Sequence, residues 1–256
     1  MFRSPIRTLL PQVQAMPHKI AGNYPSPYGD EPKDAMVGNF VRKPAYHFGW
    51  DWGPRYVTAG VWREVQLESW NDHRITDLAV RTDALDAQRA NLSVLLQLEQ
   101  GETAGKANVV VDVLDPDGRR IARIARDAAL QPGNNTLQLP LSINQPRRWW
   151  PVGYGAQDRY TVQARVDGGS DAGQQASLRT GLRTVELRRE EDKDGGQGFA
   201  FVINDVPVFA KGANVIPFDA FPARVTRERL RRDLQAARDA NMNMLPAICR
   251  PRAMPT

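Results

Sequence analysis

Apolar and polar residues alternate in short runs along most of this chain, and the period changes once, near its end. Residues 75–80, 92–98, 108–114, 120–125, 136–143, 160–166 and 176–187 each read as a strand, because strand side chains point alternately to opposite faces. Asp115-Pro116-Asp117-Gly118 separates two of them. Its proline presets one turn residue and its glycine accepts the strained one, so 120–125 should pair back on 108–114. Seven strands with turns at this spacing predict an antiparallel sandwich of immunoglobulin-like size. Upstream, residues 61–68 read as one more strand, with Val65 and Leu67 alternating against charged neighbours. The first 45 residues are rich in Pro and Gly and read as loop. Past residue 184, 199–203 and 206–210 flank Asn204-Asp205 as a hairpin, and 211–216 reads as a short strand. The period then becomes helical over 227–240, where Leu230, Leu234 and Ala237 recur, Thr226 can cap and Asn241 can stop the helix. Residues 242–245 begin another strand, and strand–helix–strand opens a parallel α/β domain.

Composition narrows the classes. At 256 residues, 41% apolar and 25% charged, the chain has room for two ordinary or three small domains and is not of disordered type. No run reaches the roughly 18 apolar residues of a membrane helix, and residues 1–16 lack the apolar core of a signal peptide. No membrane partner is expected, and the compartment stays open. A single cysteine, Cys249, allows no internal disulfide or multi-cysteine zinc site, and three histidines make a histidine metal site unexpected; no metal and no cofactor are expected. The net charge of +5 is scattered, with arginine groups at 183–189 and 224–232 and no nucleic-acid module, so no nucleic-acid partner is expected either.

The densest chemistry lies in Tyr46-His-Phe-Gly-Trp-Asp-Trp-Gly-Pro54. A sugar shows apolar C–H faces beside hydroxyls, so its site wants an aromatic wall next to a carboxylate acceptor. The plainer alternative is an aromatic corner of a sandwich, with Asp51 satisfied by backbone N–H groups, and composition alone favours it. His47 reads as a hydrogen-bonded core histidine rather than a catalyst. Trp149-Trp150-Pro151 reads as a plug between two domains with arginine stacked on it rather than a second platform. Gly101–Lys106 resembles a phosphate loop but is one residue short and lacks the closing Ser or Thr. The acidic run at 190–194 reads as solvated loop.

Taken together, residues 46–54 and Thr58-Ala-Gly-Val-Trp-Arg63 resemble the sugar-binding domain of the β-mannosidases of glycoside hydrolase family 2. Trp149-Trp-Pro151 with Gly153 and Tyr160 is similar to that family's next sandwich. Gly181-Leu-Arg-Thr-Val185, Val208-Phe-Ala-Lys-Gly-Ala-Asn214 and Asn241-Met-Asn-Met-Leu245 resemble the entry to its catalytic barrel. The resemblance implies a mainly β chain. It would hold the end of a jelly-roll, galactose-binding-like domain (1–71), an immunoglobulin-like β-sandwich (72–183) and the first βα unit of a truncated (β/α)8 barrel (184–256), with an aberrant proline-rich tail over 246–256. Val215 stands where the family commonly has Trp.

The same resemblance implies a retaining exo-β-mannosidase that removes terminal non-reducing β-D-mannose, with a β-mannoside oligosaccharide or glycan as partner. Retention needs two carboxyl groups about 5–5.5 Å apart. In the family both are glutamates on later barrel strands, and 73 residues remain after Arg183. No catalytic residue is therefore expected in this chain, and the chain alone should be inactive. What carries over is substrate binding. Asp51 would accept bonds from mannose hydroxyls, Trp50 and Trp52 would wall the subsite, and Asn214 would lie at the active-site end of the first barrel strand. A non-catalytic carbohydrate-binding module is the alternative.

Overall fold

A computed structural model describes residues 44–50, 52–58, 60–61, 65–168, 173–191 and 193–245. The loop expected over 1–45 and the tail 246–256 lie almost wholly outside them. The chain divides into two compact units, residues 68–211 and residues 1–67 with 212–254.

Seven strands build the sandwich of the first unit. They are β1 (His73–Leu85), β2 (Arg89–Gln100), β3 (Gly105–Leu114), β4 (Arg120–Leu130), β5 (Gly133–Asn144), β6 (Tyr160–Asp167) and β7 (Gln174–Thr180). One sheet runs β1-β2-β5 and the other β4-β3-β6-β7, with every described pairing antiparallel. Three hairpins (β1-β2, β3-β4, β6-β7) are thus distributed over two sheets, and β5 returns to lie beside β2. The period-2 pattern decides which side chains meet. Leu92, Val94, Leu96 and Leu98 of β2 face Val109, Val111 and Val113 of β3 and Val162, Ala164 and Val166 of β6 in one buried cluster. The turn at 115–118 forms as the sequence indicates, with the Gly118 amide on the Asp115 carbonyl at 3.0 Å and Gly118 at φ 82°. Tyr160 opens β6, and its buried hydroxyl accepts the Arg147 amide at 2.8 Å, a tyrosine corner of the kind immunoglobulin-like folds use. Burial pushes that phenol up from its ordinary value.

Four expected strands differ. The run 176–187 is two strands, because β7 ends at Thr180 and β8 (Val185–Arg188) joins another sheet. Residues 181–184 between them are drawn aside: Leu182 is fully buried and its carbonyl takes the Trp149 amide at 2.8 Å. Of 61–68, the described residues 61 and 65–68 form no strand, and Val65 and Leu67 are 84% and 95% exposed. A strand gains from its pleat only when a partner accepts its backbone groups, and no described strand pairs there. Residues 211–216, and residues 242–245 where another strand is expected to begin, make isolated bridges instead of strands.

β8 forms a small antiparallel sheet with β9 (Ala200–Ile203) and β10 (Val206–Val208). The hairpin at Asn204-Asp205 closes with both residues at positive φ, 51° and 70°, as a two-residue turn matched to strand twist requires. Register places Val185, Leu187, Phe201, Ile203, Val206 and Val208 on one face of this sheet.

The second unit contains helix α1 (Arg227–Asp239). Thr226 caps it, its hydroxyl accepting the Arg229 amide at 3.2 Å, and Asn241 ends it at φ 58°. Gly212 and Met244 form a parallel bridge across the helix. A Cβ on Gly212 would collide with the Met244 carbonyl, so only glycine permits that approach. The bridge and helix follow the order of a βα unit without a formed strand, no residue of α1 is fully buried, and Leu234 is 54% exposed.

Candidate functional site

Residues 44–58 fold into a short hairpin with an aromatic base. A 3-10 turn at Ala45–Phe48 buries Tyr46, His47 and Phe48, which are 4%, 5% and 1% exposed. Gly49 follows at φ 106°, a value that favours glycine, and redirects the chain outward. The Trp50 and Gly53 amides then donate to each other's carbonyls at 2.9 and 3.2 Å, and the Tyr56 amide donates to the His47 carbonyl at 3.0 Å. The Trp50–Gly53 pair brackets a two-residue tip. Trp52 in it is half-buried, with its ring 5.6 Å from Tyr46, and Trp50 is half-buried too. Asp51 lies outside the described residues. His47 packs edge-on against Tyr46 at 4.6 Å, which places it in the base rather than at the tip. Two tryptophans are thus partly open on a turn whose underside is packed, an arrangement that offers apolar faces to a ligand.

Asn214, the other expected site residue, is exposed two residues beyond the Gly212 bridge. It belongs to the same compact unit as Trp50 and Trp52.

Beside these stand residues that sequence reasoning did not single out. Tyr56 stacks on Phe221 at 5.3 Å and 27°. The Arg224 guanidinium lies 4.6 Å from the Phe221 ring and is clamped by Asp219 through contacts of 2.6, 3.1 and 3.2 Å. Asp219 also accepts the Phe221 amide at 2.8 Å, and Arg229 lies 3.8 Å away while donating to the Phe218 carbonyl at 2.7 Å. The Arg224 hydrogen bonds, then the Phe221 amide, hold the Asp219 carboxyl below its usual range, and Asp219 in turn raises the Arg224 guanidinium. The signal available in sequence was Asp219-Ala-Phe-Pro, an acid two residues before an amide it can cap and just ahead of a proline.

Trp149 and Trp150 are packed against glycines and held by hydrogen bonds within the first unit. Arg183, not the adjacent Arg147 or Arg148, stacks on Trp149 at 4.7 Å. Gly181 and Gly155 seat the two rings so closely that a Cβ at either would stand under 3 Å from the indole. The buried Asn204 side chain donates to the Trp149 carbonyl at 3.0 Å and accepts the Thr184 amide at 3.1 Å. Trp70 offers no free platform on the face that Arg74 covers at 3.9 Å, and Arg74 is paired with Glu68 and Glu99. Among the described residues no cluster of His, Cys, Asp or Glu could hold a metal ion, and no helix is long and apolar enough to cross a membrane.

Residues 1–63 match the glycosyl hydrolase 2 galactose-binding domain-like family, and residues 73–183 match the glycosyl hydrolases family 2. The chain belongs to glycosyl hydrolase family 2. Within it, the chain is 36% identical to Beta-mannosidase B of Aspergillus terreus over 193 residues, 75% of this chain and 22% of that protein. It is 35% identical to the Beta-mannosidase of Bos taurus over 221 residues, 81% of this chain and 24% of that protein. The crystal structure of a β-D-mannosidase from Dictyoglomus thermophilum superposes with a TM-score of 0.77 at 36% identity, over 94% of this chain and 28% of that one. A β-glucuronidase of Parabacteroides merdae, at 19% identity and a TM-score of 0.56 over 68% of this chain and 20% of its own, shares the fold alone. The chain spans about a quarter of the length of the curated relatives it matches.

Proposed function

We propose that this chain supplies the substrate-holding wall of an exo-β-mannosidase that acts on terminal non-reducing β-D-mannose with retention of configuration. The observation that carries the reading is the Trp50–Gly53 turn, with two half-buried tryptophans on a packed aromatic base, in a chain 36% identical to a β-mannosidase over nearly all its length. In this reading Trp50 and Trp52 lie along the C–H face of the sugar, Asp51 accepts bonds from its hydroxyls, and Asn214 supplies a polar contact. The domain limits we propose are 1–71, 72–183 and 184–256. Retaining hydrolysis needs a nucleophilic carboxylate and an acid/base carboxyl about 5–5.5 Å apart. The resemblance puts both glutamates on later barrel strands, so these 256 residues bind without cleaving.

The test is a fluorescence titration of the chain with methyl β-mannoside and methyl β-glucoside, which differ at C2, alongside an aryl β-mannoside assay. A saturable response to the mannoside, lost in Trp50→Ala and Asp51→Ala, with no aryl alcohol released, is expected. Equal response to both sugars would sink the mannoside assignment, and turnover by the pure chain would sink the division of labour.

A further inference from the structure

We propose that Tyr56, Phe221, Arg224 and Asp219 form a latch that fixes the aromatic turn against the connection between Asn214 and α1. Tyr56 and Asp219 are then positioning residues for sugar binding, and the inference rests on the reading that Trp50 and Trp52 hold the sugar.

The bonds within residues 47–56 make the turn a unit of its own, but a sugar wall must also be held at a fixed place in the site. Tyr56 provides that hold. Its backbone is tied to His47 at the base of the turn, while its ring lies nearly parallel to Phe221, 165 positions further along the chain. Phe221 is in turn set from one carboxylate. Asp219 takes the Phe221 amide, which fixes the backbone, and it grips the Arg224 guanidinium that rests on the Phe221 ring. Arg229, anchored on the Phe218 carbonyl, adds a second positive charge beside Asp219. Both ring and cation are therefore oriented by a side chain only 13% exposed. Tyr56 is 44% exposed, more than a residue buried for stability would be, which fits a contact that orients rather than one that builds core.

The experiment uses the full chain labelled with 5-fluorotryptophan, whose fluorine resonances are assigned by single Trp→Phe changes. Tyr56→Leu and Asp219→Asn are compared with Tyr56→Phe, which keeps the ring and loses the hydroxyl. The resonances of Trp50 and Trp52 should shift or broaden in Tyr56→Leu and Asp219→Asn and stay near wild type in Tyr56→Phe. Those of Trp149 and Trp150, in the other compact unit, should not move in any variant. Affinity for methyl β-mannoside should fall about threefold to tenfold in the first two variants, the size of a lost ring stack. Unchanged Trp50 and Trp52 resonances in both Tyr56→Leu and Asp219→Asn overturn the latch, as does a Tyr56→Phe variant as damaged as Tyr56→Leu. If wild type binds no mannoside, the functional reading fails by itself, and the fluorine resonances still decide whether the latch exists.

Discussion

Replacing Asn204 by glycine and by alanine separates its two roles, as a hydrogen-bonding side chain and as a residue able to sit at positive φ. The side chain is 3% exposed, donates to the Trp149 carbonyl and accepts from the Thr184 amide, while the backbone stands at φ 51°. Each side-chain bond is worth about 1 kcal/mol net, and a partner left unsatisfied away from water adds about 1 kcal/mol more. Asn204→Gly keeps the backbone and should cost about 2–3 kcal/mol. Asn204→Ala loses the same bonds and keeps a Cβ in the left-handed region without the short polar side chain that lets asparagine tolerate it, for about 1 kcal/mol further than glycine. Urea unfolding followed by near-ultraviolet circular dichroism is the assay, since Trp149 lies at the lesion and reports its own surroundings. A glycine variant within about 0.5 kcal/mol of wild type would refute the role given to the side chain. Equal stability of the two variants would refute the role given to the backbone.

Two further predictions follow from the packing and the charges. Leu96 is fully buried between Leu78 and Leu137 of the neighbouring strands, so Leu96→Ala should destabilise the sandwich by about 2–5 kcal/mol in the same urea assay, and a loss below about 1 kcal/mol would mean the core closes over the gap. Asp219 has its folded-state pKa lowered, mainly by Arg224, so its contribution is present above its unfolded value of about 4 and disappears as pH falls through the lower folded value. The stability gap between wild type and Asp219→Asn should therefore be constant above about pH 5 and shrink below about pH 4 in acid titrations. A gap that persists unchanged to about pH 2 would remove Asp219 from the ion pair.

The alternation of apolar residues carried most of the sandwich, because a strand with one face buried admits one register. The Asn204-Asp205 hairpin and the capped helix were legible for an equally local reason, since each depends on a few adjacent residues. What the sequence hid was non-local. Residues 176–187 read as one alternating run, although the apolar positions change phase between Leu182 and Val185, and it is Trp149 and Asn204, distant in sequence, that hold 182–184 out of line. Val65 and Leu67 carry a strand's pattern where no described strand receives them. The tryptophans of the aromatic turn stood out by composition, but Tyr56 and Phe221 gain meaning only when the fold sets one on the other.

The division of the chain into compact units also has a consequence for the order of assembly. The unit carrying the aromatic turn is discontinuous, with residues 68–211 inserted into it. Bringing Tyr56 to Phe221 through about 165 loose residues would cost roughly 4–5 kcal/mol of chain entropy, several times what a ring stack returns. The sandwich is assembled largely from neighbouring hairpins and can form before that contact does. Once folded, it is a single body in place of a loose loop, so far fewer residues remain to be ordered when that contact forms. Its core thus sets the fraction of molecules in which the turn is seated, and a lesion such as Leu96→Ala should weaken the apparent affinity for sugar in proportion to that fraction while every site still fills at saturation.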